Sequence, residues 1–418
     1  MPGQLHFVKI DAVEAINAVN ATLRRIDERL IDHGERVAFI ACELCEAGRI
    51  NLDMKTLFLL SVFHDVGAYK TDEIDRMVEF ETKDVMHHSI YGYLFLKYMT
   101  PLCDYAKAIL YHHTSWKLLS EVECMSKEYA SLIHLADRID IAVKSGAESS
   151  LLKVLFDNEN GMYKDEYAKA AKEFYGERKI AQHIADGSYR RKNLERCSSF
   201  VPSAREALEY LNMIVYAIDF RSEHTVTHTI NTVAVALNIA RHFGLDNAEL
   251  EKIYLGSLLH DVGKIAIPVS ILENPGRLDD AQMKIMRTHV VETKKLICGI
   301  VSEEICEIAV RHHEKLDGSG YPKGIFANDL TFSQRIVAVA DIVSALSGRR
   351  SYKESFPKDK TISILSDMSG DKLDESICDY VAECYDEIMQ STEESRLRVI
   401  RQYQGITKEF DELAASHI

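Results

Sequence analysis

The sequence predicts an all-α protein built as two helical bundles in tandem. Three observations carry that reading. Prolines are rare, seven in 418 residues. Apolar residues recur at helical spacing over long stretches, and candidate strands are few. Ten of the 17 histidines fall into two series with the same order of residue types.

In the first half, "NLDMKTLFLLSVFHDVG" has helical periodicity and ends in His-Asp-Val-Gly. In the second, "DNAELEKIYLGSLLHDVG" repeats the design. There Asp246 is expected to cap the helix, Glu249 to complete a capping box, and Gly263 to end it. The stretch from Phe174 to Leu208 is polar and charged, so the junction is placed near residues 190–200, dividing the chain into 1–195 and 196–418. The helices from about Asp374 onward carry no readable motif and are expected to close the second bundle or mediate association.

The paired series run His33, His64-Asp65, His88, His112-His113, Asp137 and then His228, His260-Asp261, His289, His312-His313, Asp341. The gap from the first histidine to the His-Asp pair is nearly the same in both halves, and so is the step from the third histidine to the double histidine. Chance alignment of scattered histidines does not keep order and type at every step. The chain therefore reads as an internal duplication.

Composition limits the functions available. Hydrophobic residues make up 46% of the chain, enough for a sizeable core. The formal net charge of −15 argues against long nucleic acid, which is gripped by clustered Lys and Arg. It leaves open a small anionic ligand held by metal ions. No signal pattern and no apolar run near membrane-spanning length is evident, so a cytoplasmic protein with no membrane partner is expected. Nine cysteines are spread without a framework. Cys42 and Cys45 form a CxxC inside an apolar helical pattern, where buried reduced thiols are the better reading than zinc or redox use.

His and Asp together suit borderline divalent metals such as iron, manganese, nickel or zinc. A carboxylate can bridge two ions, and two ions about 3.5–4 Å apart can hold both sides of a phosphate during an in-line displacement. No Ser-His-Asp or Cys-His nucleophile and no phosphate loop of the GxxxxGK[ST] type is present.

At this point "HDVGK", "HH", "DGSGYP" and the late Asp341 resemble the HD-GYP subgroup of HD-domain phosphohydrolases. The likeness covers roughly residues 215–355. Residues 25–145 look like a second, degenerate HD domain without Gly-Tyr-Pro. The resemblance implies two tandem HD-type bundles and hydrolysis of a cyclic dinucleotide, cyclic di-GMP or 3′,3′-cyclic GMP-AMP. It implies two divalent ions, iron or manganese, on His228, His260, Asp261, His289, His312, His313 and Asp341, with Asp261 bridging. Lys264 would hold the scissile phosphate, Gly320 and Tyr321 would shape the pocket, and Arg350 would contact the phosphate backbone. A homodimer is left open.

Two departures stand out. Members with three metals carry a Glu four residues before the first ligand His; here that position is His224, a candidate third-metal ligand sharing a helix face with His228. Some members carry a Lys three residues after the final Asp; here it is Ser344, which has no charge to offer that phosphate. In the first half, His33, His64, Asp65, His88, His112, His113 and Asp137 keep every ligand type. Ala68, however, stands where Lys264 does, and Gly146 stands where Arg350 does, while Lys70 lies too far along to substitute. This half is expected to bind metal but hydrolyse little. Two competing readings are an HD phosphohydrolase acting on another nucleotide or phosphoester, and a cyclic-dinucleotide sensor without turnover. The Gly-Tyr-Pro stretch disfavours the first, and the complete ligand series with Lys264 disfavours the second.

Overall fold

The computed structural model describes residues 28–70, 86–145, 148–197, 204–220, 223–272, 274, 276–299, 301–348 and 356–416. Among these residues the structure is helical, with isolated bridges and no sheet. The all-α expectation holds. The chain divides into two compact units, the first spanning Asp27–Met213 with Ile406–Ile418 and the second centred on Ile214–Gly405.

In the first unit, Glu28–Ala47 packs on Met54–Val62 and on Lys127–Lys144. Phe39, Leu44, Leu57, Leu60, Leu132 and Ile139 fill the space between them. Tyr189–Cys197, part of the polar stretch, is a helix laid on Glu28–Ala47. Its Asn193 amide donates to the Glu35 carbonyl at 2.8 Å, and Arg196 reaches Glu43 at 2.6 Å. The end of the last helix, Tyr385–Ser416, also belongs here. Glu409 accepts from Lys97 and Tyr98, and the Phe410 ring stacks on Tyr91 at 4.1 Å. The stretch from Asp374 to Gly405 belongs to the second unit, as expected, and only the residues from Ile406 onward pack with the first.

In the second unit, Glu223–His242 packs on Asn247–Leu259 and on Phe332–Ser347, and Asn247–Leu259 also packs on Glu303–Val310. Ile253, Leu255, Leu258, Ile308, Val337 and Val343 are buried in the core. Asp246 caps its helix by accepting from the Glu249 N–H at 2.9 Å. The reciprocal half of the expected capping box is replaced: the Glu249 carboxylate accepts from Ser333 Oγ at 2.6 Å instead. Complete capping boxes occur at Asp279/Gln282 and Thr331/Gln334.

Gly263 does not end the helix as expected. The α-helix stops at Leu259, and a 3₁₀ turn, Val262–Ala266, follows. Gly263 is needed for close approach: a Cβ there would sit 2.1 Å from the His289 carbonyl oxygen. Gly67 repeats the arrangement in the first unit, with a Cβ 2.0 Å from the His88 oxygen. In both units the glycine lets the turn carrying His-Asp press against the helix carrying the next histidine.

Candidate metal centre

The break after Leu259 puts His260 and Asp261 at a helix end, turned inward beside the neighbouring helices. His228 comes from Glu223–His242, His289 from Thr288–Ile297, His312 and His313 from the turn after Glu303–Val310, and Asp341 from Phe332–Ser347. The structure brings all seven together. His228 Nε2 lies 3.1 Å from Asp341 Oδ1 and 3.6 Å from Asp261 Oδ2. His260 Nε2 is 3.1 Å from Asp261 Oδ2, and His289 Nε2 is 3.4 Å from Asp261 Oδ1. His313 Nδ1 is 3.5 Å from Asp341 Oδ2. Asp261 thus has imidazole nitrogens near both of its oxygens.

The imidazoles are aimed from behind. Nδ1 of His260, His289 and His312 meets the carbonyls of Ser257, Met286 and Ala309 at 2.7, 2.6 and 2.6 Å. A carbonyl can only accept, so Nδ1 carries the proton and the Nε2 lone pair points inward. His260 Nε2 is buried and makes no hydrogen bond, as an atom reserved for a cation would be. The donor set thus fits divalent metal, in two groups whose ligand atoms converge: His228, His260 and Asp261, and His289, His312 and His313.

Electrostatics agree. Burial opposes charge on Asp261 and Asp341, yet His260 and Lys264 hold Asp261, and His228 and His313 hold Asp341, well below the usual carboxylate range. Burial keeps His289 and His312 below the ordinary imidazole value and pushes His313 down to about 3. Carboxylates stay ionised and these three imidazoles neutral, which are the protonation states that ligate metal, whereas at His260 burial is outweighed by Asp261 and Asp341, which raise it. Lys264 donates to Asp261 Oδ2; burial opposes its charge, but Asp261 outweighs this and raises it.

The Gly-Tyr-Pro loop folds back over this pocket. The Tyr321 N–H donates to the His313 carbonyl at 3.2 Å, and the two rings lie 4.6 Å apart. A Cβ on Gly320 would be 2.4 Å from the Glu314 Cα, so only glycine fits. Glu314, buried directly after His313, accepts from the N–H groups of Lys323 at 2.7 Å and Ile325 at 3.2 Å. Its position beside the histidine pair is visible in the sequence; its grip on the loop is not. Ser344, standing where some relatives have a phosphate-contacting Lys, is buried and serves His228: it lies 3.1 Å from His228 Nδ1 and donates to the His228 carbonyl at 3.0 Å. Asp219 is a further buried acid that sequence reasoning missed. It accepts from Thr229 at 2.6 Å, next to His228, and burial pushes it up to about 7. Arg350, Gly146 and the side chains of His224 and Lys70 lie outside the described residues.

The first unit gathers its seven residues into the same plan. His64 and His112 put Nδ1 on the carbonyls of Ser61 and Ile109 at 2.8 and 2.5 Å. Asp65, His88, His112 and His113 form one convergent group, and His33, His64 and Asp137 another. Buried His64 Nε2, Asp65 Oδ1 and His112 Nε2 make no hydrogen bonds. The surroundings differ. His33 Nδ1 is 2.7 Å from Asp140 Oδ2 while its Nε2 is 3.1 Å from Asp137 Oδ1. Burial works against its charge, but these two carboxylates raise it to about 10. Arg36 forks onto Asp140 at 2.6 and 2.9 Å, and Arg138 onto Asp137 Oδ2 at 3.0 and 2.8 Å. Ala68 is fully buried. Cys42 and Cys45 are buried and not disulfide-bonded, whereas Cys298 and Cys306 lie side by side in the second unit with Cα atoms 5.3 Å apart, a proximity that the scattered spacing of the cysteines does not announce.

Fold and site together define a duplicated helical bundle with a His-Asp centre in each copy. Two family models, both described as HD domain, match residues 30–142 and 212–377. The chain belongs to the HD-domain proteins, in the tandem HD-GYP type. It is 27% identical over 389 residues to the 3′3′-cGAMP-specific phosphodiesterase 1 of Vibrio cholerae, covering 84% of this chain and 86% of that protein. It is 38% identical over 160 residues to a cyclic di-GMP phosphodiesterase response regulator of Xanthomonas campestris, covering 38% of this chain and 42% of that protein. A crystal structure of a cyclic GMP-AMP specific phosphodiesterase of V. cholerae aligns with a TM-score of 0.55 at 16% identity, over 90% of this chain and 98% of that one. That likeness speaks for the fold. Among the described residues no helix is long and apolar enough to cross a membrane.

Proposed function

We propose that the second HD domain hydrolyses a phosphodiester bond of a cyclic dinucleotide, using two divalent ions, iron or manganese, held by His228, His260, Asp261, His289, His312, His313 and Asp341. The observation that carries this reading is the convergence of those seven side chains, with Lys264 on one side and Tyr321 on the other. Bound ions would supply Lewis-acid polarisation of the phosphate and an activated water. The chain's own residues orient and neutralise. Asp261 offers one oxygen toward each ligand group. Lys264 adds a positive charge where negative charge gathers on the transferring phosphoryl group. Glu314 and Gly320 fix the loop that presents Tyr321 beside the pocket.

The first substrate to test is 3′,3′-cyclic GMP-AMP, because the relative that aligns through both halves carries that name. The first HD domain is proposed to hold metal more weakly and to act in stability or regulation. The proposed functional parts follow the compact units, Asp27–Met213 with Ile406–Ile418 and Ile214–Gly405, rather than a cut at residue 195, and a cytoplasmic location and a homodimer belong to the same reading.

The test is turnover of purified protein loaded with manganese or ferrous iron. Substrates are cyclic di-GMP, 3′,3′-cyclic GMP-AMP and bis(p-nitrophenyl) phosphate, with products separated by chromatography. Cleavage of a cyclic dinucleotide supports the reading. Cleavage of the nitrophenyl ester alone points to another phosphoester, and tight cyclic-dinucleotide binding without cleavage points to a sensor.

A further inference from the structure

We infer that Arg287 binds the second phosphate of the cyclic dinucleotide, the one not being cleaved; this rests on the function proposed above. Arg287 sits at the joint between Asp280–Met286 and Thr288–Ile297, two residues before His289. Its side chain is exposed, and its guanidinium carbon lies 4.9 Å from the centroid of the Tyr321 ring. That ring lies 4.6 Å from the ring of His313. His313, Tyr321 and Arg287 therefore form a row leading outward from the metal-competent centre.

The ligand's chemistry asks for a cation in that place. A cyclic dinucleotide carries two phosphodiesters, each with one negative charge. Metal ions and Lys264 neutralise one. The other remains, on a protein whose formal charge is −15, and local positive charge would stabilise it; Arg350, which the resemblance assigns to the phosphate backbone, lies outside the described residues, and Arg287 is a described cation beside the pocket. Arg287 has no carboxylate partner among the described residues. Lys264, by contrast, is already engaged with Asp261. A guanidinium stacked on an aromatic face keeps its N–H edge free and presents it as a planar fork, which suits phosphate oxygens. Stacking on Tyr321 also restricts the side chain, so less freedom is lost when the ligand arrives.

The first unit supplies an internal contrast. The position two residues before His88 is Met86, which is exposed and uncharged, and no Gly-Tyr-Pro stretch follows His112 and His113. Cation and loop occur together in one unit and are missing together in the other.

The experiment compares wild type, Arg287→Ala, Arg287→Lys and Lys284→Ala as metal-loaded full-length protein. Lys284 is an exposed cation on Asp280–Met286, three residues before Arg287. Two substrates are used: a cyclic dinucleotide, with two phosphates, and bis(p-nitrophenyl) phosphate, with one. For Arg287→Ala the expected result is a KM for the cyclic dinucleotide raised roughly ten- to a hundredfold, as for a lost charge-assisted hydrogen bond. Its kcat, its metal content and its cleavage of the nitrophenyl ester should match wild type. Arg287→Lys should recover part of the loss, since it restores charge without the fork, and Lys284→Ala should behave as wild type. An unchanged KM in Arg287→Ala, or equal losses on both substrates, overturns the inference while leaving the proposed function standing. Wild type that neither binds nor cleaves a cyclic dinucleotide overturns both.

Discussion

His228 and His33 occupy matching places in the two units and have different neighbours. His228 stands between Asp341 and the Ser344 hydroxyl, and burial lowers its proton affinity. His33 stands between two carboxylates, Asp137 and Asp140, which outweigh burial and raise it to about 10. One imidazole is ready to give a lone pair to a metal. The other holds its proton at neutral pH and is itself the cation of its site. Arg138 adds a second internal cation on Asp137, and Arg36 braces Asp140. The same ligand types thus serve different ends. The second unit pairs Asp261 with Lys264, a cation that can also face a phosphate, and surrounds Asp341 with imidazoles. The first neutralises part of its anionic set from within and has Ala68 where a phosphate-facing cation would stand.

The largest effect expected from breaking this contrast is at Asp261. Asp261→Ala removes the carboxylate whose oxygens face both ligand groups, so hydrolysis should fall below detection. Metal content, measured by mass spectrometry, should drop in the same protein. Lys264→Ala should come next. Turnover should fall about a hundred- to a thousandfold, the scale of losing one preorganised charge at a developing oxyanion. Metal content should stay near wild type, separating phosphate contact from metal retention.

Asp140→Asn sharpens the comparison from the other side. Without that carboxylate, His33 should release its proton more readily, and the first unit should take up more metal at a fixed free concentration, severalfold by equilibrium dialysis. The same change has a pH signature. His33 is raised from 6.5 to about 10, so the folded state binds the extra proton between those values. Its contribution to stability is complete below the lower value and is lost as pH rises through the upper one. Chelator-treated wild type should therefore lose thermal stability between pH 7 and pH 10 more steeply than Asp140→Asn, with other titrating groups common to both.

The histidine series is legible in the sequence because its chemistry restricts it: few residue types ligate metal, and their order survives when intervening lengths change. The helices are legible through period and scarcity of proline. What surrounds the ligands is harder to read. Asp137 with Asp140, His33 with Arg36, and Asp341 with Ser344 all share the i, i+3 spacing of one helix face, so a signal exists. Which partner each meets depends on how Glu28–Ala47 packs on Lys127–Lys144. Gly263 looks like a helix stop from its local pattern, whereas its reason is the close approach of backbone from a later helix, at His289. The tail of Tyr385–Ser416 packs through Phe410 on Tyr91, a contact between opposite ends of the sequence that no local pattern announces.

The central claim is that chemistry resides in the second unit although both units carry the full ligand series. Turnover of the His64→Ala, Asp65→Ala double variant tests it most directly, on protein checked for helical signal and for metal retained in the second unit. Some loss of thermal stability is expected, since metal bound only to the native state stabilises it. The account predicts a kcat for cyclic-dinucleotide hydrolysis within about twofold of wild type, a change within the scatter of one weak interaction. A folded double variant that keeps metal in the second unit and binds substrate, yet does not cleave it, would contradict the account and make the first site part of the catalytic machinery.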